Sequence, residues 1–213
     1  MSESFDFVKN YWDYYCQLEQ QFLVTKKYVA FSCYNKSTYS LEYLELLQAV
    51  CSEIDVVAKI ICKKFDSRFD VKKARINNWY YVLQDNFDLE NAVVNCDAFD
   101  SEYNSIRPWK GCRYEIKTSI TKNGVKRRNI DLVEGKATPE WWKAYNKAKH
   151  SRTDTDGEKP NFTRANLENV LYAFAALYSL EQKYLKLIRE TGDGEHLSDL
   201  FYIGRRPFAL LGN

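Results

Sequence analysis

The sequence predicts a mainly α-helical protein that carries one small antiparallel β-hairpin. Apolar residues recur at steps of three and four along four segments, the spacing that puts them on one face of an α-helix. Three of those segments are preceded by a residue of N-cap type, Ser4, Ser40 and Thr138. Between the helical blocks, two strand-like runs flank Lys122-Asn123-Gly124, a turn signal.

The first helix is carried by Val8, Tyr11, Tyr15, Leu18 and Phe22, with Ser4 as its expected cap. The second opens after Ser40 and runs through Leu44, Leu47, Cys51, Ile54, Ala58, Ile61 and Phe65. A flanking stripe of Leu46, Val50, Val57 and Ile60 widens its apolar face, which predicts a central helix. Residues 75–83 read as a further short helix. The third main helix starts at Thr138-Pro139-Glu140, a cap, a proline in the first turn and a carboxylate that the helix dipole favours. It continues through Trp141, Trp142 and Tyr145 to about His150, where residues 151–160 follow as a polar linker. The fourth is expected from Asn161 to Ile188, with Leu167, Leu171, Phe174, Tyr178, Leu185 and Ile188 along one side.

The hairpin strands are residues 113–120 and 125–133. A two-residue Asn-Gly turn would oppose Ile116 to Asp131 and mix apolar with polar partners. A three-residue loop with Gly124 in the left-handed conformation opposes Ile116 to Ile130 and Tyr114 to Leu132, so one face is consistently apolar; this register is predicted. The remaining residues are strongly basic: Arg113, Lys117, Lys122, Lys126, Arg127 and Arg128. The chain thus reads as a single domain over residues 1–213, with residues 87–136 an inserted loop and hairpin.

Composition narrows the class. A hydrophobic content of 45% excludes wholesale disorder, and 31 Lys+Arg against 29 Asp+Glu exclude a polycation while leaving room for a local basic patch. The longest apolar run, residues 170–178, is too short to span a bilayer, and the start Met-Ser-Glu-Ser-Phe-Asp has no apolar signal region. A soluble, cytoplasmic protein without membrane contact is expected. Six cysteines show no C-x-x-C pair and no histidine at zinc-ligand spacing, so they read as reduced thiols in the core. Asp154-x-Asp156-Gly157 resembles half of a calcium loop, but its twelfth position is Ala165. No metal and no cofactor are expected.

Only two histidines occur. His196 follows Arg189 across Gly192 and Gly194, which break a helix, so it reads as a loop residue. His150 lies four residues after Asn146 on the predicted third helix, with Lys143 and Lys147 near the same face and Lys149 and Arg152 beside it. Such a cluster suits a phosphodiester: cations hold the phosphate and stabilise its developing charge, while imidazole moves a proton. Trp141 and Trp142 are candidate base-stacking platforms or core residues; Lys147, Lys149 and the hairpin's Arg127 and Arg128 are candidate RNA contacts. Glu53, on the second helix, is expected to be partly buried, either orienting His150 or forming an edge-of-core ion pair. For His150 itself the simpler reading is a cation at a helix C-terminus.

These residues resemble a known family. Asn146-x-x-x-His150 at a helix end, followed by Arg152 and a polar loop, is similar to the motif of HEPN-superfamily proteins. The block Tyr145-Asn146-Lys147-x-Lys149-His150-x-Arg152 resembles a bacterial HEPN-like subgroup. Segments 39–64, containing Ser52-Glu53-Ile54-Asp55, and 162–180 resemble the same subgroup. The resemblance implies a HEPN-like helical bundle, often a homodimer, that cuts RNA without metal in toxin or phage-defence systems. His150 would then be the acid/base, with Asn146, Lys143 and Arg152 positioning phosphate. The family pattern has Arg directly before the Asn; this chain has Tyr145, and Lys143 is the only cation at a permitted spacing. Three readings stay open: Arg152 takes that role, a partner subunit completes the site, or the bundle is a non-catalytic module that binds a protein partner.

Overall fold

The computed structural model describes residues 6–99, 103–120, 123–124, 126–132, 138–157, 159–189 and 197–203, with residues 85, 116–120, 126–132 and 156 described by backbone alone. The expected caps and side chains at Ser4, Lys122, Arg127, Arg128 and His196 lie outside that description. The described chain is mainly helical with small antiparallel sheets. Its α-helices are α1 (Asp13–Val24), α2 (Leu41–Phe65), α3 (Ile76–Phe87), α4 (Glu140–His150) and α5 (Leu167–Ile188).

Helix α2 is the axis of the fold: α1, α3, α4 and α5 all pack against it, α5 most broadly. Ser40 caps it by accepting the Tyr43 N–H at 3.0 Å. Both predicted stripes are used, with Leu47, Val50, Cys51, Ile54, Val57, Ala58 and Ile61 fully buried.

The first helix departs from its predicted face. Val8–Trp12 form a π-helical turn before α1, and this wider turn rotates the buried stripe. Phe7 and Trp12 are buried where Val8 and Tyr11 were expected, Phe7 edge-on to Tyr184 and Trp12 stacked on Tyr15. Helix α3 is longer than expected, and its N-terminus closes with Arg75 N–H donating to Asn78 Oδ1 at 2.8 Å.

Helix α5 begins later than periodicity suggested. Asn161–Arg164 form a 3-10 turn, and Asn166 then caps α5 by accepting the Asn169 N–H. The open Leu167 and Glu168 N–H groups donate to the carbonyls of Thr38 and Lys36, which ties α5 to the loop before α2.

Strands β1 (Val94–Cys96), β2 (Ser105–Ile106), β3 (Tyr114–Ile120), β4 (Lys126–Leu132), β5 (Thr155–Asp156), β6 (Lys159–Pro160) and β7 (Phe201–Tyr202) make three small sheets. The β3–β4 hairpin has the predicted register, Ile116 opposite Ile130 and Tyr114 opposite Leu132, and Gly124 has φ +75°. Gln84 of α3 clamps its base, donating to the Tyr114 carbonyl at 2.8 Å and accepting the Tyr114 N–H at 3.0 Å. The β2–β1–β7 sheet was not anticipated, because its strands are too short to show alternation. Its β7 edge is anchored by the carboxylate of Glu19, which accepts from Tyr15, Ser198 and the backbone N–H groups of Asp199 and Leu200.

All six cysteines are free thiols, and Cys51, Cys62, Cys96 and Cys112 are buried. Burial pushes the Cys62 and Cys112 thiols up to about 12, so neither is a thiolate at neutral pH. Among the described residues no helix is long and apolar enough to cross a membrane.

Candidate functional site

Helix α4 carries most of the predicted site residues, from Trp141 to His150. Pro139 is its N-cap, one position later than expected, and Thr138 instead bonds the Tyr114 hydroxyl at 2.9 Å. Ala144 and Ala148 are fully packed, and these small side chains let α4 lie close on α2 and α5. Lys147, Lys149 and His150 fill the last turn, where the helix dipole favours cations.

The helix ends at Ser151, whose N–H still reaches the Lys147 carbonyl. Beyond it, where a polar linker was expected, the described residues from Ser151 to Pro160 turn back on themselves. Strands β5 and β6 pair around Gly157, at φ +82°, and the Phe162 N–H donates to the Arg152 carbonyl. Asn161 is buried and holds the Ser151 carbonyl through Nδ2 at 2.9 Å.

On this frame His150, Lys149 and Arg152 are exposed, and Asn146 and Lys147 are half-buried. Arg152 Nε turns back to the Ala148 carbonyl at 3.5 Å. Lys149 Nζ donates to Tyr145 Oη at 2.9 Å, which raises the lysine pKa. Tyr145 itself is only 7% exposed, its ring 5.2 Å from that of Trp142. Lys143 stands one turn away from this group and pairs with Glu140 at 2.8 Å.

Two expectations are corrected. Trp141 and Trp142 are 2% and 6% exposed and belong to an aromatic core with Trp79 and Trp109; the Trp141 indole donates to the Pro108 carbonyl at 2.9 Å. They have no open face on which a base could stack. Glu53 acts electrostatically on Tyr11 and on the buried Glu181. Burial raises its carboxyl pKa, and among the described residues it bonds neither His150 nor a cation. The carboxylate that does look toward α4 is Asp55, which accepts from Trp79 Nε1 at 3.0 Å, pairs with Lys59 at 2.5 Å and acts electrostatically on Lys149.

No family model, curated protein or solved structure matches the chain. The site is therefore read from its own geometry: a solvent-facing imidazole at a cationic helix end, with Tyr145 bonded to the neighbouring Lys149 and Asn161 holding the Ser151 carbonyl just beyond the helix. Sequence reasoning missed Asp55 as the nearer carboxylate and missed Glu181 altogether. It also missed a cleft at the opposite end of α4. No local pattern could have signalled that cleft, because its walls come from separated segments.

Proposed function

We propose that the protein is a HEPN-like, RNA-directed bundle whose working surface is the C-terminal end of α4. The exposure of His150 among Lys149 and Arg152, with Asn146 one turn behind, carries this reading. In metal-independent cleavage the RNA 2′-hydroxyl is the nucleophile, and His150 takes its proton or protonates the leaving 5′-oxygen. Arg152 and Lys149 attract the phosphate and stabilise its added charge. Because one imidazole cannot be both acid and base at once, a second copy of the chain is proposed to supply the other proton-transfer group.

A non-catalytic binding module is the second reading, favoured by Tyr145 standing where the family has Arg and by Lys143 being engaged by Glu140. Incubating labelled RNA with the protein in EDTA, beside His150→Ala, separates the two. Cleavage by the parent protein and none by the variant supports the nuclease. Binding without cleavage by either protein supports the module.

A further inference from the structure

We propose that the cleft between the 105–110 turn, the start of α4 and the first turn of α5 binds a small zwitterion, an α-amino acid with a planar side chain. The cleft has a volume of about 410 Å³, near the lower end of small-molecule sites. Its walls come from rigid parts. Trp141 is fixed by the Pro108 carbonyl and packs edge-on against Trp109, and Tyr172 of α5 also lines the cleft.

The charges in the lining define the ligand. Arg107 and Lys110 are the cations of the lining. Arg107 is held by the Glu90 carbonyl at 3.1 Å and Asn91 Oδ1 at 2.8 Å, and its buried Nε has no acceptor among the described residues. Glu140, Glu168 and Asn169 also line the cleft. Glu168 accepts the Tyr103 hydroxyl through one oxygen, and Asn169 uses Nδ2 on the Arg164 carbonyl, which leaves its Oδ1 as an acceptor. A simple anion would meet the two carboxylates, and a simple cation would meet Arg107 and Lys110. A molecule with both charges a few bonds apart satisfies both sets.

A carboxylate fits beside Arg107 and Lys110, an ammonium beside Glu168 and Asn169, and a flat side chain against the half-buried ring of Tyr172. Pro139 offers α4 no side-chain cap, and the N–H groups of Trp142 and Lys143 turn to its carbonyl; those of Glu140 and Trp141 face the cleft end of the helix and add to the carboxylate's field. Trp141 and His150 are about 14 Å apart along the helix axis, so this site is separate from the proposed RNA surface.

The test is isothermal titration calorimetry of the full chain with phenylalanine, tyrosine and tryptophan. For the tightest binder, the amide (no carboxylate) and the N-acetyl form (no ammonium) are titrated next, together with AMP. At least one amino acid is expected to bind, and each charge-deleted form to bind about tenfold more weakly or worse. Lys110→Glu, at an exposed position, and Glu168→Gln should weaken binding with thermal unfolding unchanged. Absence of heat at millimolar ligand overturns the proposal. So does equal binding of a charge-deleted form, tighter binding of AMP, or full affinity in Lys110→Glu.

Discussion

Lys149 Nζ donates to Tyr145 Oη at 2.9 Å and sits 5.1 Å from the centroid of the same ring. One aromatic side chain thereby joins the buried tryptophan cluster to the cationic surface at the end of α4. Tyr145→Phe should keep the ring packing and release the ammonium. The Lys149 pKa, raised by this bond, then falls toward its ordinary value. The sign is that of a raised cation: the contribution is present below about pH 10.5 and is lost as pH rises through the folded pKa. Because Lys149 is exposed, the stability cost should stay under about 1 kcal/mol. Titration of the lysine by NMR in both proteins measures the shift.

Glu181 gives the opposite case, a carboxyl group with no exposure and no hydrogen-bond partner for either oxygen among the described residues. Burial raises its pKa well above 4.5, with Glu53 and Glu19 nearby adding to the rise. The folded protein therefore holds this proton more tightly than the unfolded chain. Stability should fall as pH rises above about 4.5 and level off beyond the folded pKa. Glu181→Met should stabilise the protein by about 1–3 kcal/mol at neutral pH and flatten that dependence. Urea unfolding across a pH series reads both effects, and a destabilised Glu181→Met would contradict them.

The two tryptophans of α4 should behave as core. Trp142→Ala is expected to cost about 3–5 kcal/mol, because the ring is packed among Trp79, Trp141 and Tyr145. His150→Ala, at an exposed position, should change stability by less than about 0.5 kcal/mol. Thermal unfolding of the two variants side by side distinguishes a packing residue from a surface one.

Gln84 satisfies both backbone groups of Tyr114, a residue with no exposure. Gln84→Ala leaves a buried N–H and C=O without protein partners and should cost about 1–3 kcal/mol. The loss should be local at first, with faster amide exchange at Tyr114 than in α2. Hydrogen exchange resolved by residue would show it.

The helices were legible because each buries a face, and burial leaves a period of three to four in the sequence. Leu47, Cys51, Ile54, Ala58 and Ile61 are that period, and all are buried. Boundaries were less legible where a side chain chose among several local hydrogen bonds. Asn166, six residues before Tyr172, caps α5, although Asn161 has the same chemistry; Asn161 is used on the Ser151 carbonyl instead. At the candidate site, the spacing of Asn146 and His150 could be read directly. The burial of Trp141 and Trp142 could not, since an aromatic residue beside a cationic helix end suits a core and a stacking surface equally.

Periodicity and one glycine at positive φ were enough for the mainly helical class, the central helix α2 and the hairpin register. Tertiary structure alone decided which polar groups meet. It put Glu53 within electrostatic reach of Tyr11 and Glu181, and it gave Lys149 a phenol to bond. It also gathered Arg107, Glu168 and Trp141 around one cleft. The physical reason is range: a helix stripe is a contact between near neighbours in the chain, whereas the surroundings of a buried or half-buried charge are supplied by distant segments packed against it.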